Sequence, residues 1–198
     1  PPSAATKEQP YVNTLGMKFV PVPGTDVLMC IHETRVDDYA AYSAAVPGLD
    51  QAWAKAGWGR ATLPGNYPVT YISMDDGSGF CSWLSKKEGV TYRLPTELEW
   101  RIAAGVASPD GKVKAPTYWW GESWPPPDGT GNLADATTEA RMATEKVSAA
   151  ERGFAGFISD YRDGYALQAP VMSFPPNPLG LFNLIGNAME RTTSGTRM

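Results

Sequence analysis

The chain has 198 residues, with 17 Lys and Arg against 21 Asp and Glu, a formal net charge of -4 and a pI near 5.0. That length suits one domain with a real core, and a composition 42% hydrophobic and 19% charged is that of a globular protein. An acidic balance without a basic run argues against nucleic acid or anionic lipid as a partner, no apolar stretch reaches membrane-span length, and two cysteines exclude a multi-cystine framework.

Twenty Gly and 18 Pro occur beside seven Trp, a combination that predicts long loops held together by aromatic packing. Residues 1–12 read as a polar, flexible lead-in, and residues 13–198 as a single domain. The first residues lack both an initiator Met and a signal-type apolar core, as expected of a trimmed or mature terminus. Met17 to Val22 reads as a strand that ends at Pro23-Gly24, and Val27 to Ile31 as its hairpin partner. Thr34 is the expected cap of a helix from Arg35 to about Val46, with Asp37 and Asp38 in its first turn.

Val69 to Ile72 predicts a further short strand. Ser73 then caps a helix whose Phe80, Trp83 and Leu84 share a face and which Gly89 stops. Thr96-Glu97-Leu98-Glu99 is a capping box behind Pro95, opening a helix that ends near Gly105. Residues 106–131 read as loop and 137–152 carry a helical signal. From Tyr161 to Pro178 the chain reads as extended and turn-rich, and Thr192 to Arg197 as polar, with no apolar strand signal. About half of the chain is thus expected to be irregular, and loops of that length in a compact domain need a reason such as bound metal.

Several stretches, in order, resemble the formylglycine-generating (sulfatase-modifying) family. They are Asn13 to Val20, His32-Glu33-Thr34-Arg35-Val36, Pro68 to Asp76 with Phe80-Cys81-Ser82-Trp83-Leu84, and Arg93-Leu94-Pro95-Thr96-Glu97-Leu98-Glu99-Trp100. Tyr118-Trp119-Trp120-Gly121, Asp163-Gly164-Tyr165, Ala169-Pro170-Val171, Asn177 to Phe182 and Gly186-Asn187 complete the series. The resemblance implies an α+β, C-type-lectin-like fold with sparse secondary structure. It also favours a periplasmic or extracellular setting, although the residues themselves do not specify a compartment.

The resemblance further implies two structural Ca²⁺ sites. One would use the Asn132 side chain, the Leu133 carbonyl, Asp163 and the Tyr165 carbonyl. The other would use Asn183, the carbonyls of Gly186 and Ala188, and Glu190. Those residue types suit a hard cation that takes six to eight oxygens, amide and backbone carbonyls included. One carboxylate per set predicts weak binding, roughly 10⁻⁴–10⁻³ M. Asn132, Asn183 and Asn187 are equally the residues that turns use.

Catalytic members of the family, as the resemblance has it, oxidise a substrate cysteine to formylglycine with copper held by a cysteine pair near their C-terminus. Soft Cu(I) requires thiolates, this chain ends at Met198 ahead of that segment, and neither Cys30 nor Cys81 matches those positions. Copper is therefore not an expected cofactor, and no catalytic residue is assigned. Cys81 reads as a small buried hydrophobe, with a Cys30–Cys81 disulfide left open. His32 is the single histidine, so a multi-histidine iron site cannot be built. Where the family reads Trp-Glu-Trp, this chain reads Met189-Glu190-Arg191. The loss of two aromatic anchors suggests absent or altered C-terminal strands, and a homo-oligomer through an open edge.

The leading expectation is a calcium-stabilised binding or structural module without oxidase activity. Its ligand, a protein or a small molecule, is not specified by the sequence; the Trp-rich 53–58 and 118–125 loops are the candidate recognition surface. A fragment of a copper-dependent cysteine oxidase and a lectin-type, ligand-displaying variable protein are the alternatives.

Overall fold

The computed structural model describes residues 2–55, 61–114, 118–146, 156–193 and 195–197. After a single 3₁₀ turn at Pro2–Ala4, three short strands, β1 (Tyr11–Val12), β2 (Lys18–Pro21) and β3 (Leu28–Cys30), form an antiparallel sheet in the order β1-β2-β3. Helices α1 (Val36–Ala45), α2 (Met74–Glu88), α3 (Glu97–Ala103) and α4 (Ala136–Glu145) follow, and β4 (Glu190–Thr192) pairs antiparallel with β5 (Gly195–Arg197). The protein is α+β, with long irregular segments between its elements.

The first sheet explains how so little regular structure holds a core. Successive side chains of a strand point to opposite faces, and here both faces are covered. Met17 and Phe19 join Val36, Tyr39, Tyr42, Trp53, Phe80 and Leu84 in one cluster. Val20 and Val22 join Trp100, Ile102, Ala103, Leu181 and Leu184 in the other. β3 repeats the division, with Leu28 and Cys30 against the first cluster and Val27, Met29 and Ile31 against the second. A sheet buried on both faces reads as a nearly continuous apolar run, as Phe19-Val20-Pro21-Val22 does. The first cluster is aromatic: Tyr39 meets Tyr42 edge-on at 5.4 Å, Trp53 at 5.3 Å and Phe80 in a stack at 6.0 Å.

Caps set most helix boundaries. Ser73 accepts the Asp76 N–H at 3.1 Å, Asp76 accepts the Ser73 N–H at 2.8 Å, and Gly89 closes α2 in the left-handed conformation. Thr96 and Glu99 do the same for α3, with the Glu99 carboxylate also held by the two terminal guanidinium nitrogens of Arg93 at 2.6 and 2.7 Å.

Four local expectations need correction. The cap of α1 is Arg35, not Thr34. The buried Asp38 carboxylate accepts the Arg35 N–H at 2.9 Å and grips its guanidinium at 2.7 and 3.0 Å, while the Thr34 carbonyl is occupied by the Val69 N–H at 2.9 Å. Val69 to Ile72 is not a strand: only Pro68 bridges to Arg35, and Tyr71 then turns through a φ of +59°. Residues 190–192 and 195–197 do form strands, because a two-stranded hairpin needs backbone groups rather than an apolar signature. β1, inside the polar lead-in, went unread for the same reason. Of the helical signal at 137–152, α4 accounts for the first part and residues 147–152 lie outside the described residues.

Candidate metal centre

The stretch that follows β3 and the stretch that follows Leu181 are brought together by backbone pairing, the Phe182 N–H donating to the Ile31 carbonyl at 2.8 Å. This places Glu33 against the C-terminal loop. Its Oε1 accepts Asn187 Nδ2 at 2.7 Å, and its Oε2 accepts Asn183 Nδ2 at 3.2 Å. Asn183 and Asn187 hold left-handed backbone at φ +55° and +58°, a region Asn tolerates better than most residues. Between them Gly186 has φ +86°, and a Cβ there would stand 2.0 Å from the Asn132 carbonyl oxygen, so only glycine allows the two loops to touch.

Glu190 begins β4 at the edge of the second core, where its carboxylate accepts the Trp100 indole N–H. Enclosure by protein, reinforced by the negative charge of Glu33, pushes the Glu190 carboxyl up to about 8. Enclosure also raises Glu33, against the two asparagine hydrogen bonds that stabilise its charge. One further atom is out of balance: Asn183 Oδ1 is buried and has no hydrogen-bond partner. A buried acceptor left unmade costs about 1–3 kcal/mol, and here it lies on a side chain already held beside a carboxylate.

Of the second candidate set, Asn183, Gly186 and Ala188 lie on one tight loop, where the Ala188 N–H donates to the Gly186 carbonyl at 2.8 Å, and Glu190 opens the strand that follows it. Sequence reasoning missed Glu33, which holds the side chains of Asn183 and Asn187. It lies 150 residues from Asn183, and its motif was visible only as part of a helix entry.

The first set is also assembled, on different terms. The Asp163 carboxylate accepts the Leu133 N–H at 2.7 Å and the Tyr165 N–H at 2.7 Å, so each oxygen holds one bond and retains capacity for another. Burial raises its pKa, partly offset by those two bonds. Asn132 sits beside it and turns its Nδ2 to Asn187 Oδ1 at 2.9 Å and to the Leu167 carbonyl. Asn187 therefore joins the two sets, its own N–H donating to the Asn132 carbonyl at 2.8 Å. Asp135, fully buried and not singled out from sequence, caps α4 through the Thr137 and Thr138 N–H groups and accepts the Asp163 N–H at 2.7 Å.

The donors are oxygens. Among the described residues no group of three or more His, Cys, Asp and Glu side chains converges, so a cation here would rely on amide and carbonyl oxygens around one or two carboxylates. Ca²⁺ accepts that mixture, and soft ions do not favour it. The residues fit a hard cation, most clearly at the second set with its unpartnered Asn183 oxygen. The cysteines lie elsewhere: both are free, and both pack against the first core cluster. Burial raises the Cys30 thiol to about 12 and the Cys81 thiol to about 11. His32 is buried, its Nδ1 2.7 Å from the Glu33 carbonyl, and burial lowers its pKa.

Residues 6–198 match the family described as "Sulfatase-modifying factor enzyme 1-like domain". The chain belongs to that family. It is 32% identical over 148 residues to the "Inactive C-alpha-formylglycine-generating enzyme 2" of Bos taurus, covering 71% of this chain and 39% of the relative. It is 30% identical over 169 residues to the "Formylglycine-generating enzyme" of Thermomonospora curvata, covering 85% of this chain and 45% of the relative. The chain thus spans less than half the length of these relatives. Among solved structures, PvdO from Pseudomonas aeruginosa shares the fold at a TM-score of 0.52 and 22% identity, over 86% of this chain and 61% of that one. Within this sulfatase-modifying domain, Met189 is 65% exposed and the Arg191 guanidinium donates to the Ile72 carbonyl at 3.0 Å, so neither acts as a core anchor.

Of the aromatic loops expected to face a ligand, Trp53 is buried in the core and Trp58 lies outside the described residues. Tyr118 and Trp120 stack at 4.5 Å, with Trp124 beside Tyr118 at 5.8 Å and 56% exposed. No helix among the described residues is long and apolar enough to cross a membrane.

Proposed function

We propose that this sulfatase-modifying-type domain is a calcium-stabilised binding or structural module and does not itself oxidise cysteine. The observation that carries this reading is the contrast in donors. An enclosed oxygen set invites a hard cation: Glu33 holds Asn183 by its Nδ2, Asn183 Oδ1 is left without a partner, and Glu190 lies within the field of Glu33. The two thiols, by contrast, are held protonated as packing groups in an aromatic core. A cation bound at the second set would neutralise Glu190 and supply the missing partner of Asn183; at the first it would use Asn132, Asp163 and the carbonyls of Leu133 and Tyr165.

Thermal melts test the first half: millimolar Ca²⁺ raises the melting temperature of chelator-treated protein and EGTA lowers it again, whereas an unchanged curve contradicts calcium stabilisation. Incubation of the copper-treated chain with a Cys-Thr-Pro-Ser-Arg peptide tests the second half. No aldehyde is expected by mass spectrometry, and its formation would establish the oxidase reading. That second reading draws support from relatives named as formylglycine-generating enzymes, of which this chain spans under half, so any longer form of the protein belongs in the same assay.

A further inference from the structure

The Asn183 side chain is enclosed, and its two ends meet different surroundings: Nδ2 donates to Glu33 Oε2 at 3.2 Å, while Oδ1 meets no partner. An ionised carboxylate can only accept, so the amide nitrogen must face Glu33 and the amide oxygen must face away from it. The other Glu33 oxygen holds Asn187 Nδ2 at 2.7 Å. That side chain is clamped further, with Oδ1 accepting the Ala169 N–H at 2.7 Å and Asn132 Nδ2 at 2.9 Å. One carboxylate from the N-terminal half therefore sets the orientation of two amides in the C-terminal loop. A carboxylate serving only to satisfy hydrogen bonds would have no reason to leave a buried amide oxygen without one.

We propose that Glu33 is the positioning residue of the cation site at Asn183, Gly186, Ala188 and Glu190, turning Asn183 Oδ1 toward the ion and adding a second negative charge beside Glu190. The inference rests on the calcium reading above. It assigns a role to a side chain that stands outside both ligand sets, and it makes the cation a clasp between the segment after β3 and the loop before β4. Partners that orient a metal's ligands typically govern affinity by roughly 10–100-fold when removed.

Trp100, whose indole donates to Glu190, offers a reporter: Tb³⁺ bound at this site should emit when tryptophan is excited. Loss of that emission in Glu190→Gln identifies the site. Ca²⁺ is then titrated against Tb³⁺ in wild type and in Glu33→Gln whose metal-free near-ultraviolet circular dichroism matches wild type. The expected result is a Ca²⁺ dissociation constant weakened about 10–100-fold in Glu33→Gln. If that variant does not fold, Glu33→Asp, which keeps the charge but withdraws the oxygens, should weaken binding in the same direction. A dissociation constant equal to wild type in the folded variant overturns the role of Glu33 and leaves the calcium reading standing. Wild-type protein that binds neither Tb³⁺ nor millimolar Ca²⁺ overturns both.

Discussion

A carboxylate placed beside Trp100 and within the field of Glu33 loses much of its hydration, and the Glu190 carboxyl holds its proton to about 8 against an ordinary 4.5. Between those values the folded, metal-free protein binds more protons than the unfolded chain, so stability must fall as pH rises through that window. Glu99 does not oppose the trend there. The Arg93 guanidinium holds it at about 2, so its stabilising contribution is already complete above the unfolded carboxylate range. Buried His32, whose pKa is lowered, opposes this trend up to its ordinary 6.5, but does so in wild type and Glu190→Gln alike. Chelator-treated wild type should therefore lose melting temperature from pH 5 to pH 8 more steeply than Glu190→Gln. A wild-type slope no steeper than that of Glu190→Gln contradicts the assignment. Cys30 and Cys81 give a second residue-scale expectation. With thiols near 12 and 11, neither should react with Ellman's reagent within minutes in the native protein, and both should react after denaturation. One fast native thiol would show that a cysteine is not simply a core residue. The candidate ligand residues that share a short stretch, Asn183 to Glu190, could be grouped from the sequence through the family resemblance. Glu33 was not, because its relation to them exists only after the fold closes 150 residues of chain.

Elements were legible where their signals are local. Ser73 with Asp76, Thr96 with Glu99, and Gly89 each satisfy helix-end groups within three or four residues, and all three boundaries read correctly. Where pairing is remote the reading failed. Val69 to Ile72 has strand-like residues but the single bridge there belongs to the preceding Pro68, whereas β1 and β4–β5 pair through the backbone without an apolar pattern. Helix α1 shows a third case, in which the first turn is closed by the Asp38–Arg35 pairing and the helix starts one residue later than a Thr34 cap would have it. The loop carrying the second ligand set depends on Gly186 in the same structural sense. Gly186→Ala must strain a φ of +86° and push against the Asn132 carbonyl, so a loss of about 1–3 kcal/mol in denaturant unfolding is expected. A loss within experimental error would mean that the two loops are not in contact.

At the scale of the whole molecule, two clusters on opposite faces of a three-stranded sheet supply the core, and long loops supply the rest. Composition foretold this division, since many Gly and Pro beside seven Trp predict irregular chain fastened by aromatic packing. What composition could not supply was the place where those loops meet, at Glu33, Asn132, Asn183 and Asn187. A hard cation there would fasten the N-terminal and C-terminal halves without any disulfide, in a chain whose two cysteines are both free. Equilibrium dialysis of the purified protein against millimolar Ca²⁺, and separately against Cu(I), followed by elemental analysis, puts oxygen and sulfur donors in direct competition. One or two calcium ions retained per chain and no stoichiometric copper is the predicted result; one copper per chain with no excess calcium would contradict it.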